Sequence, residues 1–335
     1  MGSTPHKISA SRGASILGLS KYKTQVQIWL ELCEENEPGF AEKNGYLLPE
    51  QPDNAAIRWG SAFEDAVIKL AEEKSGNNIL NCEKYFENGI MTCHIDGQYH
   101  SGRTLEALNA LHEGKTTNAF TFADGWGTPG TDKIPQEYQI QVQHQLYCTG
   151  AEEVIVSVLV FPKRVDEFEA EGLTVANIHI QMPLGAGNFG ALIPIDKWAT
   201  TLAQMGFFHQ YKIKRNETLI KIIVEKYNAF YSDYVLKKKP PEAVNYDDIK
   251  LLCPAPVGTI IVPEKYQKLL DEHKTIGKEI GGTGYLAKRR DQIKTELLTW
   301  ARKNEHIIDD DSTEKYIFRS ETGDKLGSYN GKMFR

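Results

Sequence analysis

Apolar positions in this chain recur with two distinct periods, and the switches between them sketch the fold. Over 54–75, Trp59, Phe63, Val67 and Leu70 return at three- and four-residue intervals, the signature of an amphipathic helix, and Gly76–Asn78 closes it. The same spacing at Val26, Trp29, Leu30 and Cys33 predicts a helix over 24–36. Residues 7–19 predict a shorter one, with Ser9 or Ser11 as N-cap and Ile16 and Leu17 facing inward. The Pro, Gly and Asn of 37–53 read as a loop. From 82 onward strands take over: 82–87, 90–96 and 105–113 form a plausible antiparallel set, with GQYHSGR as turn material. Residues 118–136 are rich in Gly, Pro and Thr and read as a loop, Tyr138–Thr149 as a helix, and Val154–Phe161 as a buried strand of β-branched residues. A strand near 174–182, a glycine-rich bend (PLGAGNFG) and a helix over 217–237 follow. Beyond Pro254 the composition becomes charged, with helical spacing over 263–304 and a polar hairpin-like tail over 305–335. This order predicts an α/β core over 1–240 and a charged helical C-terminal extension with a small tail over 241–335.

Composition narrows the class. With 335 residues, 41% hydrophobic and 25% charged, the chain can bury a large core. No run of about 18 apolar residues is present, and MGSTPHKISASRG lacks the apolar centre of a secretory signal, so a cytoplasmic protein without a membrane span is expected. The five cysteines (Cys33, Cys82, Cys93, Cys148, Cys253) form no Cys-x-x-Cys pair, which argues against a zinc ribbon, an iron–sulfur cluster or a disulfide framework. A net charge of −6 counts mildly against nonspecific coating of nucleic acid, but a local positive groove in an acidic protein can still hold DNA.

The candidate chemistry lies between Ile90 and Gly150. Asp96 closes one strand-like run, and Glu113-Gly114-Lys115 closes the next. Residues i and i+2 of a strand share a face, so Glu113 and Lys115 point into one cleft, and Gly97 permits a turn and close approach of a substrate backbone. Two carboxylates and a lysine suit metal-dependent phosphodiester hydrolysis, because Mg²⁺ takes oxygen ligands and an ammonium offsets phosphate charge. Other acid-x-Lys triplets, Glu72-x-Lys74, Asp248-x-Lys250 and Glu272-x-Lys274, fall in charged helical stretches or a polar loop. Glu64 lies one helical turn after Gly60 on the inner side of its helix, either supporting a metal or paired with Arg58 or Lys69. Tyr138, Gln141, Val142 and Gln145 share a helix face, where glutamines could bond phosphate oxygens or a water. His94, His112 and His144 match no zinc spacing and are expected to be structural or to support the metal-binding side chains from behind; Lys237–Lys239 reads as a solvated helix end.

In order along the chain, ISASRGASILGLSKYKTQVQIW, RWGSAFEDAV, HIDG, HEGKTT and EYQIQVQHQLYCTG resemble the motifs of the YqaJ-like, lambda-exonuclease branch of the PD-(D/E)xK nucleases. The resemblance covers roughly 7–165. It implies a restriction-endonuclease-like α/β core, a mixed central sheet flanked by helices. It implies Asp96 and Glu113 as metal ligands and Lys115 as the residue that positions or activates water. Glu64 would support the metal, Gln141 with Tyr138 would complete the pocket, and Ser11 would lie near a 5′-phosphate with Lys7 or Arg12 as anchor. Two departures stand out: Gly114 replaces an apolar residue, and the Asp96–Glu113 segment is long, so Glu106 is the alternative second acid. The implied function is a Mg²⁺-dependent DNA exonuclease, with Mn²⁺ as substitute, resecting linear double-stranded DNA from its 5′ end in phage-type recombination. The implied partners are DNA ends, a single-strand annealing protein and further copies of the chain in a ring, a trimer. An endonuclease or repair nuclease on the same fold, or a non-catalytic DNA-binding phage protein, are the alternatives.

Overall fold

The computed structural model describes residues 7–50, 54–104, 106–172, 195–252, 258–279, 285–302, 307–309, 316–331 and 334. The chain begins with β1 (Ile8–Ser9), a 3₁₀ turn (Ala10–Arg12), α1 (Gly13–Ile16), α2 (Gln25–Asn36), α3 (Phe40–Lys43) and α4 (Ala55–Ser75). Then come β2 (Asn78–Asn88), β3 (Met91–His100), β4 (Ala107–Asn118), α5 (Ala119–Gly125), α6 (Gln136–Thr149) and β5 (Glu153–Phe161). They are followed by α7 (Val165–Ala170), α8 (Ile195–Gln204), β6 (Phe208–Lys214) and α9 (Glu217–Phe230), which leads into a π turn at Tyr231–Val235. The last elements are α10 (Tyr246–Leu252), β7 (Gly258–Ile261), α11 (Glu264–Glu279), α12 (Tyr285–Ala301), β8 (Ile307–Asp309), β9 (Tyr316–Arg319) and β10 (Lys325–Tyr329). The expected strand near 174–182 and the bend after it lie outside the described residues. No helix among the described residues is long and apolar enough to cross a membrane.

Two compact units emerge, one from the 7–20 and 51–229 stretches and one from 21–50 and 230–335. This partition differs from the expected boundary at 240, because 21–50 groups with the later chain. The second unit is also more than a helical extension. It contains a four-stranded sheet in the order β10-β9-β7-β8, whose Ile260, Phe318 and Tyr329 pack with Leu270, Ile293, Leu297 and Leu298 of α11 and α12. β9 and β10 pair antiparallel within the expected hairpin-like tail, whereas β7 and β8, of four and three residues, carry too little periodicity to be seen beside the helical signal. In the same unit Thr24 closes a full capping box with Gln27 at the start of α2.

The first unit holds a mixed sheet in the order β1-β3-β4-β5-β6, with β2 antiparallel on β3. α4 and α8 cover one face through Trp59, Phe63, Val67, Trp198 and Leu202 against Leu159 and Phe161. α6 covers the other through Val142 and Leu146 against Ile95, Val154, Val156 and Val158. Alternate residues of β5 thus feed opposite cores, which is why its sequence is an unbroken apolar run.

The pairing of β3 positions everything that follows. β2 runs along one edge of β3, from Asn88↔Met91 to Asn78↔His100. The other edge is divided. β1 takes it in parallel at Met91 and Thr92, and β4 takes it antiparallel from Gly97↔His112 to His100↔Ala107. Between these partners β3 and β4 part, and β4 continues in parallel with β5 as far as Asn118↔Phe161.

Two expectations change here. Residues 7–19 do not form one helix: Ile8–Ser9 joins the sheet, Ser9 makes no side-chain cap, and only short turns follow. Gly97 is not a turn residue but lies inside β3, where a Cβ would come within 2.4 Å of Ile79 Cγ2 and 3.3 Å of the Leu80 carbonyl oxygen. The glycine serves the close approach of β2, next to a shift in register between Leu80 and Cys82. Gly97→Ala should therefore destabilise the protein by roughly 1–3 kcal/mol, as overpacking does. In a urea melt, Ile79→Ala in the same chain should recover part of that loss; additive effects of the two changes would refute the contact.

Candidate active site

Where β3 and β4 part, the backbone of β4 loses its ladder partner on that side. The Gly114 N–H there donates to Asp96 Oδ2 at 2.8 Å, so a side chain replaces the missing strand. Asp96 and Glu113 are consequently interior strand residues at the end of a ladder, not residues at strand ends as expected. Glu113 shares the parity of Leu111 and turns toward α6, while Gly114 turns toward α4. A Cβ on Gly114 would meet Val67 Cγ1 at 3.4 Å and Asp96 Oδ2 at 3.6 Å, ordinary contacts, so the position has room for the methyl of alanine.

The fork opens into a cavity of about 420 Å³. Glu64, Asp96, Glu113, Lys115, Tyr138 and Gln141 all line it, together with Ile57, Gly60, Ser61 and Thr116. The sequence puts these six residues on two strands and two helices without fixing their distances; the chain brings all six together. Glu113 is only 2% exposed and both of its oxygens are engaged. Oε1 accepts from the Lys115 ammonium and from Gln141 Nε2 at 2.6 Å, and Oε2 accepts from Gln145 Nε2 at 2.6 Å. The Lys115 ammonium also stands 5.2 Å from the centre of the Tyr138 ring. Gln145 shares the helix face but was not assigned a role; its i, i+4 relation to Gln141 is the signal that could have found it.

Glu64 is exposed toward the cavity and makes no ion pair among the described residues. The cations considered as its partners bond elsewhere: Arg58 to both oxygens of Glu169 at 3.0 Å, and Lys69 to Asp196 at 2.6 Å. Glu106 lies at the β3–β4 turn, where its backbone carbonyl accepts from Ser101 N, away from the cavity. Lys7, Ser11 and Arg12 are not brought into the cavity either. Lys7 pairs with Glu87 at 2.5 Å, and the Ser9 and Ser11 hydroxyls lie 3.3 Å apart. Of the histidines, His144 Nε2 donates to the Thr92 carbonyl at 3.0 Å, and His94 is exposed beside Tyr85. His112 is fully buried with no partner for either ring nitrogen among the described residues, and burial lowers its pKa to about 4. Gln143, part of the glutamine-rich motif, is structural: it donates to the Lys214 carbonyl and accepts from Asn216 N, tying the end of β6 to α6.

The electrostatics are unbalanced. Burial, and then the charge of Glu113, raise the Asp96 carboxyl to about 7, with Glu64 adding to the rise and Lys115 opposing it. Burial alone would lower the Lys115 pKa, but the charges of Glu113 and Asp96 outweigh it and the net shift is upward. One ammonium thus faces three carboxylates. Among the described residues no three His, Cys, Asp or Glu side chains converge to enclose an ion by themselves. The donor set instead fits a hard divalent cation held by two acids and completed by phosphate oxygens and water, as Mg²⁺ often is. Asp96 retains an oxygen not used by Gly114, and Glu113 and Glu64 are the other acids that could contribute.

Comparison with known proteins agrees with the motif resemblance. Residues 3–152 match the family described as the YqaJ-like viral recombinase domain. The uncharacterized protein YqaJ of Bacillus subtilis (strain 168) is 29% identical over 148 residues, 43% of this chain and 40% of that protein. The match therefore spans about two fifths of the curated relative's length. Among solved structures, an alkaline exonuclease from Laribacter hongkongensis is 17% identical with a TM-score of 0.43, over 70% of this chain and 93% of that one. The same enzyme in complex with dAMP gives 16% and 0.45, over 70% and 90%. A phage-related exonuclease from Haemophilus somnus 129PT gives 17% and 0.41, over 70% and 96%.

The raised Asp96 carboxyl has a consequence for stability. The folded protein holds this proton more tightly than the unfolded chain does, so between about pH 4 and pH 7 stability falls as pH rises. Asp96→Asn keeps an acceptor for the Gly114 N–H and removes the buried charge. In EDTA the variant should melt above the parent at pH 8, and the difference should shrink as pH drops through 7 toward 4. A pH-independent difference would disprove the burial of an uncompensated charge.

Proposed function

We propose that this protein is a divalent-cation-dependent DNA exonuclease that resects linear duplex DNA from the 5′ end in phage-type recombination. The observation that carries the reading is the cavity at the β3–β4 fork, which gathers Glu64, Asp96, Glu113, Lys115, Tyr138 and Gln141. The match of 3–152 to a viral recombinase domain supports it. Asp96 and Glu113 would hold the cation, with Glu64 acting through water. When bound, the cation would supply an acidified water and offset charge on the phosphate.

The chain's own groups supply the rest. Lys115 would position or activate the attacking water, and its ammonium would offset charge in the in-line phosphoryl transition state. Tyr138 holds that ammonium over its ring, and Gln141 shares Glu113 Oε1 with it, fixing the lysine beside the acid. The single-strand annealing partner, the trimeric ring and the cytoplasmic setting belong to the same reading and are supported by the motif resemblance.

Incubation with linear and closed circular duplex, in Mg²⁺ or EDTA, tests this directly. Linear DNA should be degraded in Mg²⁺ alone and circular DNA should survive. Cleavage of circles would indicate an endonuclease, and binding without cleavage a non-catalytic protein. Asp96→Asn, Glu113→Gln and Lys115→Ala should each reduce cleavage by about a hundredfold or more, the scale seen when a transition-state donor is removed. Glu64→Gln should raise the Mg²⁺ requirement without lowering the melting temperature, since Glu64 is exposed.

A 5′-phosphate anchor near Ser11 and Arg12 makes a separate expectation. Duplexes with 5′-phosphate should be degraded faster than those with 5′-hydroxyl ends, and Ser11→Ala with Arg12→Ala should erase the difference. Equal rates on both ends, or digestion starting at 3′ termini, would remove the N-terminal segment from the substrate path.

A further inference from the structure

We propose that Gln145 is a positioning residue that limits Glu113 to a single ligand oxygen. The inference rests on the metal-dependent reading above and extends it to the choice of ion. Gln141 and Gln145 lie one turn apart on α6, and each donates to a different oxygen of the same carboxylate, both at 2.6 Å. The two bonds fix the carboxylate plane. Oε1 is turned to the cavity side, where Gln141 and Lys115 line the wall. Oε2 is turned inward to Gln145, which is itself only 2% exposed and does not line the cavity.

The Gln145 amide has one reasonable orientation. A carboxylate only accepts, so the NH₂ group must face Glu113. Its carbonyl oxygen is left buried and without a partner among the described residues. Leaving a buried acceptor unpaired is costly, and the arrangement persists because the donor is used on Glu113. The same Nε2 lies 3.5 Å from the carbonyl oxygen of His94, two residues before Asp96, so the clamp spans both acid-bearing strands.

With Oε2 held away, Oε1 is the oxygen Glu113 can offer a cation, once the Lys115 ammonium that shares it with Gln141 turns toward the phosphate. Small ions such as Mg²⁺ and Mn²⁺ are served well by single carboxylate oxygens, whereas Ca²⁺ readily takes both oxygens of a carboxylate. Gln145 thereby biases the site toward the smaller ions. Loss of the clamp frees Glu113 to rotate and present both oxygens.

The test is calorimetric titration of the full-length protein with Mn²⁺ alone and with Ca²⁺ alone, for the parent and for Gln145→Leu. Nuclease activity and the melting temperature are measured alongside. The variant should bind Mn²⁺ about tenfold or more weakly, the scale for loss of a residue that orients a metal ligand. Its preference for Mn²⁺ over Ca²⁺ should narrow, a ratio that general loosening of the fold would not change. Mn²⁺ affinity within twofold of the parent, or equal losses for both ions, would overturn the proposal. Should Gln145→Leu fail to fold, Gln145→Met, which preserves length and volume without a donor, takes its place under the same criteria. A parent protein that neither binds Mn²⁺ nor cuts DNA would overturn the nuclease reading itself, an outcome distinct from a variant that behaves like an active parent.

Discussion

The hydrogen bond from the Gly114 N–H to Asp96 is the constraint on which the site depends. A strand that leaves its neighbour exposes backbone donors that must be satisfied, and in a buried setting an unpaired N–H is expensive. Here β1 and β4 share one edge of β3, so a parting is built into the topology. Asp96 closes the parting chemically while holding it open geometrically. Its side chain substitutes for a strand through one oxygen and lines the cavity. The adjacent close approach of β2 at Gly97 fixes β3 from the other side. The position of the first acid is therefore set by the sheet, and that of the second by α6.

Holding these groups together opposes folding. Burial, and then the charge of Glu113, raise the Asp96 carboxyl, and among the described residues that line the cavity Lys115 is the one cation. The two helical layers supply the offsetting burial. Trp59, Phe63, Phe161, Phe168 and Trp198 form a contiguous aromatic cluster beneath α4, and the apolar face of α6 packs on β5. Such cores make a locally unfavourable charge arrangement tolerable. A site of this kind gains stability when its excess negative charge is met by a bound cation, which links ligand binding to folding.

Much of this was legible in the sequence, for reasons that differ between elements. The helix at 55–75 was read from Trp59, Phe63, Val67 and Leu70 because period and burial coincide there. The strand at 153–161 was read from its β-branched run. The ordered motifs of the family resemblance named the six cavity residues, since their order along the chain is distinctive even though their distances are not. Gly97 was misread because glycine signals the absence of a side chain, not the reason for it; a turn and a close neighbouring strand leave the same mark. The N-terminal segment was read as one helix because Ile8 pairs with residues more than eighty positions away, which no local period reports. In the second unit the antiparallel pair β9–β10 falls in the tail read as hairpin-like, but its pairing with β7 escaped for the same reason, because β7 finds β9 across helices α11 and α12 in the chain.

The glutamines of α6 show why composition at a site is as informative as charge. Glu113 is buried and needs partners for its lone pairs. An arginine at 145 would satisfy them, but it would also cancel the negative charge on which the proposed cation site depends. A neutral amide provides the bond and leaves the charge in place. Lys115 supplies the one positive charge, on the oxygen that faces the cavity, where an ammonium can turn toward a phosphate. On the buried oxygen, away from the cavity, the chain places Gln145. The division between a cation at the cavity wall and an amide behind it keeps the carboxylate both ordered and under-neutralised, as the proposed role of Glu113 as a metal ligand would require.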